Sequence, residues 1–198
     1  LKPGSTIGIL GGGQLARMLS MAASKIGYRT HVYDPSPNSP AFDVASARTI
    51  GSFKDSQLLQ KFAGDIDILT YEFENIPSAT LEELEKIVQI FPNGRALAIS
   101  QDRIKEKQYF NDIGLRTVIF EPVNSIDEFA KAILKTGRPA VLKTRREGYD
   151  GKGQLIISKD LEESQIERHL RLGPCILESF ENFTKELSVI IARDQARN

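Results

Sequence analysis

A chain of 198 residues can hold one large or two small domains. Hydrophobic residues make up 40% and charged residues 26%, and Lys+Arg and Asp+Glu are 26 each, so nothing general draws the chain to nucleic acid or to an anionic membrane. A single cysteine, Cys175, excludes an internal disulfide framework and fits a reducing compartment; no apolar run approaches the roughly 20 residues of a membrane span, and none reads as a signal peptide.

Thr6–Leu10 predicts a short buried strand, followed by a turn of Gly11, Gly12 and Gly13. Residues 14–26 repeat Leu15, Met18, Leu19, Ala22, Ala23 and Ile26 at helical spacing, with Gly27 where a C-cap glycine belongs. A second strand over 30–33 ends at Asp34, closing a βαβ unit. Gly11, Gly13 and Ala16 match Gly-x-Gly-x-x-Gly/Ala, and Asp34 stands about 20 residues on, where a dinucleotide ribose is held. The alternative is a Rossmann-like scaffold whose helix N-terminus serves another phosphate, or none.

Beyond a proline-rich loop at 35–40, the pattern predicts a strand at 49–50, a helix over 55–63 and a strand over 66–70. Glu72 and Glu74 follow that last strand, where open α/β sheets place their ligands, although a solvated turn explains them equally. Thr80 and Glu83 read as a capping box for a helix over 81–87, and 89–91 as a final strand. This alternation predicts a parallel, doubly wound sheet. A break is predicted near Ala98, giving domains over 1–98 and 99–198.

The second half has an α+β texture with antiparallel strands. A charged helix over 101–113, closed by Gly114, carries Arg103, Lys105 and Lys107; a solvated face is its plain reading. Strands are predicted at 118–120, up to Lys143, at 155–157, 175–177 and 187–191, with helices after Ser125 and over 161–170. Between Lys143 and Leu155 lies a polar loop with Gly148, Gly151 and Gly153. Such a loop lets backbone approach a ligand closely, its N–H groups suit an anion, and Lys143 and Lys152 add positive charge. Lys152 is followed by Gly153 and Gln154 rather than by Ser/Thr at a helix start, so it is not a P-loop, and the glycine spacing reverses that of kinases. A basic hairpin turn without a ligand fits the spacing as well. Glu178 ends one strand and Glu186 opens the next; such carboxylates can accept ribose hydroxyls, and a strand edge can pair with an adenine edge, although two ordinary surface glutamates fit as well. His31, His169 and Cys175 form no zinc pattern, His169 reads as a surface residue near a helix end, and no Ser-His-Asp or Cys-His arrangement can be argued from spacing.

Six stretches taken together resemble one family. They are residues 11–18, 71–75, 101–103, 143–145, 148–154 and 185–189, and in that order they are similar to the 5-(carboxyamino)imidazole ribonucleotide synthases of the ATP-grasp superfamily, over the whole chain. Ala16 departs from the family's usual glycine, though a small residue there still permits close packing of helix on strand. The family also continues well past residue 198, so Leu1 and Asn198 read as cut ends.

The resemblance implies a fold: a Rossmann-like pre-ATP-grasp domain followed by an ATP-grasp domain that is incomplete here. It implies an activity, the ATP-dependent carboxylation of 5-aminoimidazole ribonucleotide with bicarbonate through carboxyphosphate in purine biosynthesis. It assigns catalytic roles to Lys143, Tyr149 and Asp150, and ATP binding to Arg103, Lys143, Gly148, Tyr149, Asp150, Gly151, Lys152, Gly153, Gln154, Glu178, Ser179, Phe180, Glu181 and Glu186. Gln14 and Glu74 would face the ribonucleotide. Magnesium is implied with ligands outside this chain, as are a homodimer, a cytoplasmic location and no nucleic-acid or membrane partner. Two rivals stand beside it: an NAD-dependent oxidoreductase built on Gly11, Gly13, Ala16 and Asp34, and a nucleotide-binding module without catalysis.

Overall fold

A computed structural model describes residues 1–147, 153–158 and 161–193. The chain forms two compact units, Leu1–Leu115 and Arg116–Asn198.

In the first unit, strands β1 (Thr6–Leu10), β2 (Arg29–Asp34), β3 (Ala47–Ile50) and β4 (Ile68–Tyr71) form a wholly parallel sheet in the order β3-β2-β1-β4. Leu69 extends it by one parallel bridge to Ile90. Parallel strands are covered on both faces, so β1 and β2 are nearly continuous buried runs. One layer of core packs Leu10, Tyr33, Leu59, Phe62, Leu69, Leu81 and Leu84; a smaller cluster gathers Ile9, Ala16, Val32, Ala41 and Phe42.

Helix α1 (Gln14–Lys25) lies where the spacing puts it, but with another face inward. Ala16, Ser20 and Ala23 are buried, whereas Leu15, Met18, Leu19 and Ile26 are exposed. Small side chains at i, i+4 and i+7 let the helix approach the sheet closely, and that approach outweighs burial of the larger residues beside them. Helices α2 (Ser56–Gly64), α3 (Ser78–Leu84), α4 (Gly94–Ser100) and α5 (Arg103–Asp112) follow. Asp55, Asn93 and Asp102 cap α2, α4 and α5 with side-chain oxygens on Leu58, Ala96 and Ile104 N–H groups at 3.0, 2.9 and 3.0 Å. The expected Thr80 capping box is absent: α3 begins three residues earlier, after Pro77, and the Thr80 hydroxyl donates instead to the Phe53 carbonyl at 2.9 Å. Since α4 packs on both α3 and α5, this unit runs on past the Ala98 at which the sequence suggests a break.

In the second unit, β5 (Phe120–Val123), β6 (Ala140–Thr144), β7 (Gln154–Ile157) and β8 (Cys175–Ser179) form an antiparallel sheet in the order β5-β8-β6-β7. The first strand sits two residues later than predicted. Helices α6 (Ile126–Thr136) and α7 (Glu163–Leu170) supply Phe129, Ala132 and Ile166 to a core shared with Val123, Ala140, Leu142, Ile157, Cys175 and Leu177. Strand alternation then turns Val141, Lys143, Ile176 and Glu178 to the other face. The strand expected at 187–191 is not formed: residues 180–193 have no helix or strand, and Leu187, Val189, Ile190 and Ile191 are 76–98% exposed.

Candidate functional site

The strand order of the first unit reverses between β1 and β4, and ligands of open α/β sheets bind at such a switch point. Here the carboxyl end of β1 runs into Gly11, Gly12 and Gly13, and that of β4 into Glu72. Gly11 holds φ +97°, and a Cβ on it would lie 2.6 Å from a Glu72 oxygen, so glycine is required for this approach. The amides of the turn are already taken. Gly11 N–H donates to the Tyr33 carbonyl at 2.9 Å, Gly12 N–H to Asp34 Oδ2 at 2.8 Å, and Gly13 N–H to Glu72 Oε2 at 3.3 Å.

This geometry removes the dinucleotide reading. Asp34 also accepts the Ser36 N–H at 2.8 Å and the Ser39 hydroxyl at 2.6 Å through Oδ1, so its carboxylate fastens the turn to the following loop. A pyrophosphate would meet two carboxylates where the fingerprint needs open amides. Burial pushes the Glu72 carboxyl up; the Gly13 N–H pulls it back, and the charge of Asp34 adds to the rise. Sequence reasoning named Glu72 and Glu74 together but kept only Glu74 for the substrate. The structure turns Glu72 onto the glycines, because its N–H continues the β4–β1 pairing by donating to the Leu10 carbonyl at 2.9 Å. Glu74 is exposed, and its carbonyl accepts from Gln101 Nε2 at 2.6 Å. Gln14 is exposed in the first turn of α1.

In the second unit, Lys143 stands opposite Ile176 on β8, so Glu178 is its diagonal neighbour on the same face. The two make an ion pair of 2.7 Å, with side chains 27% and 6% exposed. The pair joins two residues the sequence had assigned separately to the same nucleotide. Gly153 and Gln154 sit beside it: Gln154 pairs with Lys143 across β6–β7, and the Thr144 N–H donates to the Gly153 carbonyl at 2.9 Å. Ser179 N–H donates to the Ile119 carbonyl, and Phe180 N–H to the Pro139 carbonyl. Glu181 and Glu186 are exposed. Gly148, Tyr149, Asp150, Gly151 and Lys152 lie outside the described residues.

Arg103 opens α5 in the first unit, directly after the buried cap Asp102. His169, expected at the surface, is 9% exposed; it shares one face of α7 with Ile166, an i,i+3 pattern that the sequence does show. Cys175 is buried, and burial alone pushes its thiol up to about 11, so it is a core residue and not a nucleophile. Among the described residues no group of three or more His, Cys, Asp or Glu could hold a metal ion, and no helix is long and apolar enough to cross a membrane.

A parallel switch-point domain followed by an antiparallel sheet with a lysine–glutamate pair beside Gly153 and Gln154 defines an ATP-grasp protein with its preceding domain. The ribonucleotide synthetase preATP-grasp domain family matches residues 4–101, and the ATP-grasp domain family matches residues 108–198. The chain is 42% identical to N5-carboxyaminoimidazole ribonucleotide synthase of Brucella melitensis over all of its length and 55% of that protein's. The N5-carboxyaminoimidazole synthetase of Staphylococcus aureus, solved with ADP, superposes with a TM-score of 0.88 at 36% identity, over 92% of this chain and 49% of that one. The Aspergillus clavatus enzyme, solved with ADP and 5-aminoimidazole ribonucleotide, gives a TM-score of 0.79 at 26% identity, over 92% and 48%. The chain belongs to the N5-carboxyaminoimidazole ribonucleotide synthase family. It spans about half the length of the relatives it matches.

Proposed function

We propose that the protein carboxylates 5-aminoimidazole ribonucleotide at the expense of ATP. A bicarbonate oxygen attacks the γ-phosphorus and ADP leaves; the amine then takes the activated carboxyl group and phosphate leaves, giving N5-carboxyaminoimidazole ribonucleotide. The observation that carries this reading is the Lys143–Glu178 pair, which sets a phosphate-neutralising ammonium against the strand proposed to follow the adenine edge. In phosphoryl transfer, positioning and charge neutralisation supply most of the catalysis.

In this reading Lys143, Tyr149 and Asp150 are catalytic, and the motif from Gly148 to Gln154 covers the phosphates. Glu178, Ser179, Phe180 and Glu181 follow adenine, and Glu186 takes the ribose. Arg103 is a further phosphate partner, while Gln14 and Glu74 serve the ribonucleotide. Magnesium would neutralise phosphate charge in such a transfer. The described residues do not fit it, offering no group of three or more ligands, so its ligands are proposed to lie in the part of the relatives that this chain does not span. A cytoplasmic homodimer completes the proposal.

The test is phosphate release from ATP with bicarbonate, with and without 5-aminoimidazole ribonucleotide, in a protein that also holds the part of the relatives this chain does not span, beside its Lys143→Met variant. Ribonucleotide-stimulated release that the variant loses supports the proposal. Release indifferent to the ribonucleotide, or tight NADH binding without protection by ATP, overturns it.

A further inference from the structure

Of the motif Gln101-Asp102-Arg103, the proposed function uses only Arg103. Asp102 caps α5. Gln101 closes α4, its N–H donating to the Leu97 carbonyl at 2.9 Å, and its side chain reaches back to the loop that follows β4. There Nε2 donates to two carbonyls, those of Glu74 and Ile76, at 2.6 Å each. Both partners are pure acceptors, so the group between them is the amide NH2, and its two N–H bonds match the two oxygens. Among neutral side chains only glutamine and asparagine carry such a pair of donors, and asparagine is one methylene shorter.

Helix α4 is a fixed support for this contact. Asn93 caps it, its Gly94 N–H donates to Glu85 Oε1 at 2.6 Å, and Leu97 lies in the core. The loop is fastened on either side of the contact. The Glu72 N–H is held by the Leu10 carbonyl, the Phe73 ring stacks on Phe53 with centroids 5.7 Å apart, and Ile76 is fully buried. Gln101 fixes the stretch between them, and the Glu74 side chain stays exposed. The bond to the Glu74 carbonyl lies at the surface, where water would satisfy that oxygen equally. What glutamine adds there is a fixed backbone.

We propose that Gln101 is a positioning residue for the ribonucleotide: by holding the Glu74 and Ile76 carbonyls it fixes the backbone from which the Glu74 carboxylate is presented. This rests on the reading of Glu74 as a ribonucleotide residue. In this role Gln101 touches no substrate and acts only through the loop.

The test uses a protein that also holds the part of the relatives this chain does not span. Calorimetry gives the affinities for 5-aminoimidazole ribonucleotide and for ATP, with thermal unfolding in parallel. Methionine is of similar length without the donors, and lysine restores donors on a flexible stem. Gln101→Met should weaken ribonucleotide binding on the order of tenfold, the worth of two ordinary hydrogen bonds, and leave ATP affinity within about twofold. Gln101→Lys should recover most of that loss, whatever the two melting temperatures. Added to Glu74→Gln, Gln101→Met should cause no further loss of ribonucleotide affinity, because it acts only through Glu74. Wild-type ribonucleotide affinity in Gln101→Met, an equal loss for ATP, no recovery with lysine, or a full second loss in the double variant would overturn the inference. Wild-type ribonucleotide affinity in Glu74→Gln would instead overturn the assignment of Glu74 on which it rests.

Discussion

Replacing Lys143 by methionine removes the 2.7 Å ion pair that it makes with the buried carboxylate of Glu178. Removing one partner of a buried ion pair costs about 3–5 kcal/mol. Glu178 is close to that limit, its side chain 6% exposed, but Lys143 is 27% exposed and water already screens part of the attraction. We therefore expect Lys143→Met to destabilise the second unit by about 2–3 kcal/mol. In a unit of this size that lowers the melting temperature by roughly 10–20 °C. The reverse change, Glu178→Gln, leaves an ammonium that can turn toward water and should cost only about 1 kcal/mol. The double variant should then be more stable than Lys143→Met alone, with a coupling of about 1–3 kcal/mol. Urea or thermal unfolding of the four proteins completes the cycle, and calorimetry adds ATP affinity, which both variants that lack the Lys143 ammonium should lose. A single variant within about 0.5 kcal/mol of wild type, or additive effects, would refute the reasoning that the pair is both buried and coupled.

Glu72 has its carboxyl pushed up by burial, so the fold favours its protonated form, and its contribution is full below the ordinary value of 4.5 and lost as pH rises through the folded value. Glu72→Gln, which can still accept the Gly13 N–H, should thus be more stable than wild type at neutral pH, with the gap closing in acid; unfolding curves across pH check this. His31 is buried against Phe62 with Nε2 at 2.8 Å from Thr49 Oγ1, and burial lowers its pKa despite the opposing charge of Asp65. Its contribution is therefore present above 6.5 and lost as pH falls; His31→Gln should remove that acid-side loss in the same titration. NAD and NADP should give no calorimetric isotherm at micromolar concentrations, because Asp34 is already engaged by Gly12, Ser36 and Ser39.

The parallel sheet was legible because its strands are apolar runs between glycine turns and helices, and each βαβ connection confirms the next. The antiparallel second sheet followed from the glycine-rich hairpin for the same reason. Burial was less legible than element type. In α1 the periodicity of Leu15, Met18 and Leu19 marks a helix correctly but not its inner face, since small residues can win a close contact without any hydrophobic signal. Thr80 matched a capping pattern that two residues, Ser78 and Ala79, shifted into the helix interior. The 187–191 run has the composition of a strand, but no described strand pairs with it, and composition cannot supply a partner. The candidate site residues were proposed by motif, yet the relation between Lys143 and Glu178 depends on a register that no motif states.

The charge at the switch point bears on the proposal that the first unit serves the ribonucleotide. Two carboxylates, Asp34 and Glu72, occupy the amides of the glycine turn, so that turn attracts hydrogen-bond donors and repels phosphate. The unpaired amides lie one step further on. Gly13 gives α1 no side-chain cap, its first turn holds no acidic residue, and Arg17 is the first N–H of the helix to reach a backbone carbonyl, that of Gly13 at 3.0 Å. The amides of Gln14, Leu15 and Ala16 thus form the positive end of the helix dipole, while Glu72, whose carboxyl burial pushes up, stands at the turn. The proposed ribonucleotide, with a phosphate at one end and an amine at the other, would suit this division of charge; a dinucleotide, which would lay its pyrophosphate on the turn, would not. The glycine fingerprint and Asp34 are the same residues in both readings, and the hydrogen bonds of their own amides separate them.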